Sequence, residues 1–170
     1  MTQATPSVVF QPLHDDVIVP TRSTEESAGY DVRAYLDGRS VKLRRSAGDA
    51  VAELTITDGK LVLEPGDTAL VPTGFKARVP RGYEAQVRIR SSMAFTRGLS
   101  LPNAPGTIDS DYPDEWLIMI RNHSDRSVMI EHGERIAQVI LNRFAALDWE
   151  IGEVGMFTDR QGGFGSTGEL

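Results

Sequence analysis

The chain has 170 residues, 40% of them apolar, which suits one domain with its own core; no apolar run is long enough to cross a bilayer, and the first thirty residues lack signal-peptide order, so the expected location is cytoplasmic, away from membranes. The absence of cysteine excludes disulfides, thiolate catalysis and cysteine-based zinc sites, while His14, His123 and His132 lack metal-ligand spacing, so any metal must be held by oxygen ligands. A formal charge of -6 argues against general nucleic-acid binding, although a few well-placed arginines suffice for a single nucleotide.

In chain order, short apolar stretches at Val17 to Val19, Val51 to Ile56, Leu61 to Leu63, Thr68 to Val71, Ala85 to Ile89, Leu117 to Ile120 and Ile136 to Leu141 read as strands. Pro65-Gly66, Pro72-Thr73-Gly74 and Pro80-Arg81-Gly82 punctuate them as turns. Residues 51–57 alternate in character before Asp58-Gly59 and a second apolar run, a β-hairpin signal within an extra section of about 37–60. One short helix is expected after Arg90, with Ser91 as its N-cap. Many short strands with Gly/Pro turns and no helical stripe predict an all-β, distorted jelly-roll domain over residues 1–151. Residues 152–170 hold six glycines and few large apolar groups, which predicts a mobile arm.

Five segments carry the residue types of phosphate and nucleoside chemistry. Ala28-Gly29-Tyr30-Asp31 ends in a carboxylate suited to magnesium, directly or through water, or to an ordinary strand-end hydrogen bond. Arg90-Ser91-Ser92-Met93-Ala94 puts a guanidinium and a hydroxyl at a helix start, which fits either phosphate or a simple cap beside a surface arginine. Gly106-Thr107-Ile108-Asp109-Ser110-Asp111-Tyr112 places Asp109 where a turn carboxylate can deprotonate water. Tyr112 supplies a flat face for a sugar, and Asn103 an amide donor and acceptor for a base. Gly133-Glu134-Arg135-Ile136-Ala137-Gln138 is the fourth. Gly162-Gly163-Phe164-Gly165-Ser166-Thr167-Gly168 lacks the P-loop lysine, yet its glycines, hydroxyls and aromatic suit either a phosphate and base cover or a flexible tail with one docking side chain.

In order and approximate spacing, these segments resemble the five motifs of the trimeric all-β dUTPase (deoxyuridine 5'-triphosphate nucleotidohydrolase) family, over roughly residues 15–168. The resemblance implies a homotrimer with active sites shared between chains. It further implies hydrolysis of dUTP to dUMP and diphosphate by water attack on the α-phosphorus, with Mg2+ as cofactor, which limits uracil incorporation into DNA and supplies dUMP for thymidylate synthesis. Residue by residue, it implies that Asp109 activates the water and that Tyr112 packs beneath the deoxyribose to reject UTP. Asn103, with the hairpin around Gly106, Thr107 and Ile108, would read uracil. Arg90, Ser91, Ser92 and Gln138 fall at phosphate-side positions, and Asp31 at that of the residue holding magnesium through water. Phe164 and Gly165 would close over the base, Ser166, Thr167 and Arg160 would meet the phosphates, and Arg135 is expected to be structural.

Departures from the family pattern are Ser92 and Asp114 where glycine is usual, Arg160 four rather than five residues before Phe164, and the extra section 37–60. The nearest rival is dCTP deaminase, which shares the fold and has a similar Arg-Ser-Ser segment. Its proton-transfer glutamate is expected about where Met119 stands in the apolar Leu117-Ile118-Met119-Ile120, which disfavours deamination.

Overall fold

A computed structural model describes residues 6–48, 50–155 and 158. In chain order the strands are β1 (Val9–Pro12), β2 (Thr21–Arg22), β3 (Tyr30–Arg33), β4 (Ser40–Arg44), β5 (Val51–Thr55), β6 (Lys60–Leu63), β7 (Thr68–Pro72), β8 (Phe75–Arg78) and β9 (Tyr83–Ile89). After helix α1 (Ser91–Arg97) come β10 (Leu99–Ser100), β11 (Gly106–Ile108), β12 (Leu117–Asn122), β13 (Val128–Glu131) and β14 (Arg135–Arg143). Two five-stranded sheets, ordered β10-β12-β7-β4-β5 and β11-β9-β14-β3-β2, are joined by two-stranded ribbons β1-β8 and β13-β6, and every pairing is antiparallel. This is the all-β architecture that the turn-punctuated strands predict.

Alternation along the strands supplies the core. Val41 and Leu43, Leu61 and Leu63, Ala69 and Val71, Ile118 and Ile120, and Val128 and Ile130 all point inward at period two, joined by Val32, Ala85, Val87 and Val139 of the other sheet in one apolar cluster. Asp67, buried like the polar Thr73 and Asn122, is a carboxylate with almost no exposure. It accepts from Arg45 Nη1 at 2.7 Å, Ser46 N at 3.0 Å and Glu64 N at 3.1 Å, which compensates its loss of water.

The structure corrects three sequence expectations. Residues 17–19 form no strand; Val17 N–H instead donates to the His14 carbonyl in a turn, and Ile18 and Val19 are exposed. The hairpin in the extra section joins β5 to the preceding β4, in the register Ser40 to Thr55 and Arg44 to Val51, rather than to β6 through Asp58-Gly59. The buried face of β6 pairs with β13 instead, while β5 is an outer strand with every residue exposed, so its apolar content signals no burial. At α1, Arg90 rather than Ser91 is the cap residue, in extended backbone (φ −72°, ψ 143°) without a side-chain cap bond. The helix ends at Gly98, whose φ of 66° lets its N–H reach back to Ala94 and Met93.

Candidate active site

Register in the second sheet builds one half of the candidate site. Thr21 faces Asp31, Asp31 faces Gln138, and Gln138 faces Arg88, so the four form one row on one face. Arg90 and Ser91 follow where β9 gives way to α1. With Ser23, Ser27, Ala28, Gly29 and Ile140, all but Thr21 line a polar cleft of about 390 Å³. A Cβ at Gly29 would collide with the end of the Gln138 side chain, which would have to shift.

Asp31 is the electrostatic centre of this cleft, with only 15% of its side chain exposed. Arg90 Nε lies 3.1 Å from Oδ1 and Arg135 Nη1 2.9 Å from Oδ2, and Ser23 Oγ donates to Oδ2 over 3.3 Å. Arg90 also donates from Nη1 to the Arg135 carbonyl at 3.3 Å, which locks the two segments together. Arg135, expected to be structural, is the second cation paired with Asp31. A desolvated carboxylate is stable only when paired in this way.

The other half of the candidate site lies elsewhere. β11 pairs with β9 so that Gly106, Thr107 and Ile108 face Val87, Gln86 and Ala85. Ile108 is buried, and the turns before and after β11 present Asn103, Asp109 and Tyr112 to solvent. A Cβ on Gly106 would stand 3.3 Å from Asn103 Nδ2 and 3.4 Å from Val87 Cβ, so glycine lets the amide lie close to the backbone. Tyr112 N–H donates to the Asp109 carbonyl at 3.2 Å and its hydroxyl to the Glu115 carbonyl at 3.4 Å, which closes the turn. Asp114 is exposed and lies 3.8 Å from Lys76 Nζ, so its extra carboxylate is matched by a lysine outside the polar cleft.

One chain does not bring the two halves together. Ile108 faces Ala85 on β9, and none of Asn103, Asp109 and Tyr112 lines the polar cleft. Ser92 is not among the cleft residues and sits exposed on α1. Arg160, Phe164, Gly165, Ser166 and Thr167 lie outside the described residues. The sequence reading missed Ser23 and Arg88 as cleft residues. Arg88 had a signal in the alternation Gln86, Arg88, Arg90 along one strand, whereas Ser23 joins only through the pairing of β2 with β3.

Among the described residues no three His, Asp or Glu side chains cluster to cage a metal. The donor set fits a different arrangement. Of the roughly four acceptor positions of Asp31, three are taken by Arg90, Arg135 and Ser23, leaving about one for a water. Magnesium retains waters and binds through one or two carboxylates plus substrate phosphates, which this carboxylate can serve.

Known proteins give the arrangement its context. The family model described as dUTPase matches residues 39–168. A deoxyuridine 5'-triphosphate nucleotidohydrolase of Leptospira interrogans is 38% identical over 165 residues, covering 95% of this chain and 98% of that protein. One from Desulfotalea psychrophila is 42% identical over 151 residues, covering 88% and 87%. Among solved structures, a dUTPase from Streptococcus mutans matches with TM-score 0.63 and 26% identity, over 82% of this chain and 98% of that one. A dUTPase mutant of Staphylococcus bacteriophage 80alpha, solved with dUpNHpp, matches with TM-score 0.75 and 22% identity over 96% and 99%, a likeness of fold. With the matched model and relatives of this identity spanning nearly their whole length, the chain belongs to the dUTPase family.

Proposed function

We propose that this chain is a dUTP diphosphatase, hydrolysing dUTP to dUMP and diphosphate by water attack on the α-phosphorus, in a homotrimer whose active sites combine residues of different chains. The observation that carries the reading is the division of the site: a polar cleft around Asp31, Arg90 and Gln138, and a separate turn bearing Asp109 and Tyr112, neither of which lines that cleft. Asp109 does not line the cleft of its own chain. A neighbouring copy can supply it.

In this mechanism Arg88, Arg90, Ser91 and Gln138 receive the phosphates, and Asp31 holds the guanidinium of Arg90 in place. The arginines offset charge as it develops on the transferred oxygens. Asp109 takes the proton from the attacking water. Asn103 and the backbone of β11 read the base, and Tyr112, with 39% of its surface exposed, packs under the sugar. Asp31 would hold a magnesium ion, which would supply neutralising charge at the phosphates. The arm of residues 152–170 closes on the site of a neighbouring chain with Phe164 over the base and Gly165, Ser166, Thr167 and Arg160 at the phosphates.

Assembly between chains is also supported by unburied apolar surface. Over the described residues 144–155 after β14 the chain runs without secondary structure, and Leu147, Trp149, Ile151 and Val154 are highly exposed. A groove of about 300 Å³ between Val8, Phe10, Phe75, Trp116 and Leu141 adds to it. Among the described residues no helix is long and apolar enough to cross a membrane, and a cysteine-free chain fits the cytoplasm.

The test is product analysis with magnesium and each of dUTP, dCTP, TTP and UTP in separate reactions. The reading expects dUMP and diphosphate from dUTP alone. Formation of dUTP from dCTP would make the protein a deaminase, and absence of product throughout would contradict the enzymatic reading.

A further inference from the structure

We propose that Arg39, at the entrance to the β4–β5 hairpin, is a positioning residue that acts through Glu115 to hold the Tyr112 turn in the geometry that discriminates the sugar. This rests on the reading of Tyr112 as the platform beneath the nucleoside.

Glu115 follows that turn, and its side chain is only 14% exposed. Both carboxylate oxygens are engaged: Oε2 accepts from Arg39 Nη2 at 2.5 Å, and Oε1 from the Gly74 N–H at 2.6 Å. Its backbone carbonyl is the acceptor for the Tyr112 hydroxyl. The next residue, Trp116, is pinned on both sides, its N–H to the Phe75 carbonyl at 3.2 Å and its carbonyl by Thr73 Oγ1 at 2.8 Å. The C-terminal end of the turn is therefore fastened to the β7–β8 connection, and Arg39 is the cation on the one ionised group of that fastening.

Arg39 is itself held from several sides. Its N–H donates to the Leu36 carbonyl at 3.0 Å, and its carbonyl accepts from Ile56 N–H at 2.8 Å. Nη1 lies 3.1 Å from His14 Nε2; since a guanidinium has no acceptor, the imidazole accepts and carries its proton on Nδ1. The guanidinium carbon stands 5.8 Å from the Tyr35 ring centroid, in cation-π range. Three chain segments, around His14, Tyr35 and Glu115, thus meet at one guanidinium.

Removing that charge leaves Glu115 with a single donor in a poorly solvated place and releases the turn on which Tyr112 and Asp109 sit. Misplacement of a positioning group by about 1 Å can cost on the order of 10²-fold in rate. A tyrosine that no longer presses on the sugar loses affinity for the deoxynucleotide and loses its barrier to a 2′-hydroxyl.

The test uses the full chain with Arg39→Met, Arg39→Lys and Tyr112→Ala. For Arg39→Met we expect kcat/KM for dUTP to fall about tenfold or more, and a narrower ratio of dUTP to UTP turnover. Amide exchange in the nucleotide-free protein should quicken at Tyr112, Glu115 and Trp116. Arg39→Lys should recover much of both effects, because an ammonium still reaches the carboxylate as a point charge; it also provides the folded comparison if Arg39→Met melts early. Unchanged exchange at these amides overturns the proposal, as does faster exchange with nucleotide kinetics untouched while Tyr112→Ala alters them. A Tyr112→Ala protein with unaltered sugar selectivity instead removes Tyr112 from the nucleoside reading, and with it the positioning role of Arg39.

Discussion

Gly29 and Gln138 are packed so closely that the first has room for no side chain: an added Cβ would strike the carbonyl oxygen of the Gln138 amide and stand 3.1 Å from its Cδ. The contact crosses from the loop before β3 to β14, inside the cleft that holds Asp31 and Arg90. Gly29→Ala should therefore displace the amide while leaving the sheet intact. We expect kcat/KM for dUTP to fall by about tenfold or more, with a stability loss of only about 1 kcal/mol, since the end of a flexible side chain can move aside. Steady-state kinetics beside a thermal melt check both; unchanged kinetics would remove Gln138 from the site.

Asp67 offers the opposite case, a charge that serves the fold. It bridges Arg45, Ser46 and Glu64 from a position with 1% exposure. Asp67→Ala should cost about 3 kcal/mol, because three donors lose their acceptor and a guanidinium its partner. Denaturant unfolding at fixed protein concentration measures the loss, and nucleotide kinetics at low temperature should remain near the original.

How much of this was legible in the sequence depends on whether a property is local. Inward alternation at Ala69 and Val71 or Ile118 and Ile120 is local, and those strands were readable. Phe75–Arg78 lies just beyond a turn and pairs with the distant Val9–Pro12, so neither strand announced itself. The β5 partner was misassigned because Asp58-Gly59 looks like a hairpin turn, whereas long-range burial of Leu61 and Leu63 draws β6 to β13. In the site, Asp31, Arg90, Ser91 and Gln138 were recognised from motif order and do converge. The grip of Arg135 on Asp31 across 104 residues, and that of Arg39 on Glu115 across 76, arise from sheet register and loop packing that one-dimensional spacing does not encode.

Tyr35 provides a spectroscopic prediction independent of catalysis. Its hydroxyl donates to Asp16 Oδ1 at 2.8 Å, and its ring lies between His14 and His132. Partial burial first, then the hydrogen bond to Asp16 and the charge of that carboxylate, push its pKa up to about 12. Because the native value lies above the ordinary 10.0, the native state holds a proton that the unfolded state loses first. The stability this provides is complete below about pH 10 and is lost as pH rises towards about 12. Absorbance titration at 295 nm should show one late tyrosine transition that is absent in Tyr35→Phe.

Metal removal should affect activity without affecting the fold. Asp31 is already held by two arginines, and no described cluster of carboxylates requires a cation. Chelation with excess EDTA is expected to depress dUTP turnover strongly, restored by magnesium, while the melting temperature of the nucleotide-free protein moves by less than about 2 °C. A large drop in melting temperature on chelation would show instead a structural metal.

The central claim is that Asp109 and Arg90 of one active site belong to different chains, and mixing two inactive proteins tests it most directly. Asp109→Asn and Arg90→Ala are each prepared alone, then unfolded together in equal amounts and refolded, with dUMP and diphosphate as the readout. With random assembly of a cyclic oligomer, about one site in four draws Asp109 from one parent and Arg90 from the other, so activity should return to about a quarter of the original. A mixture no more active than its parents would place both residues in the same chain's site and contradict the account.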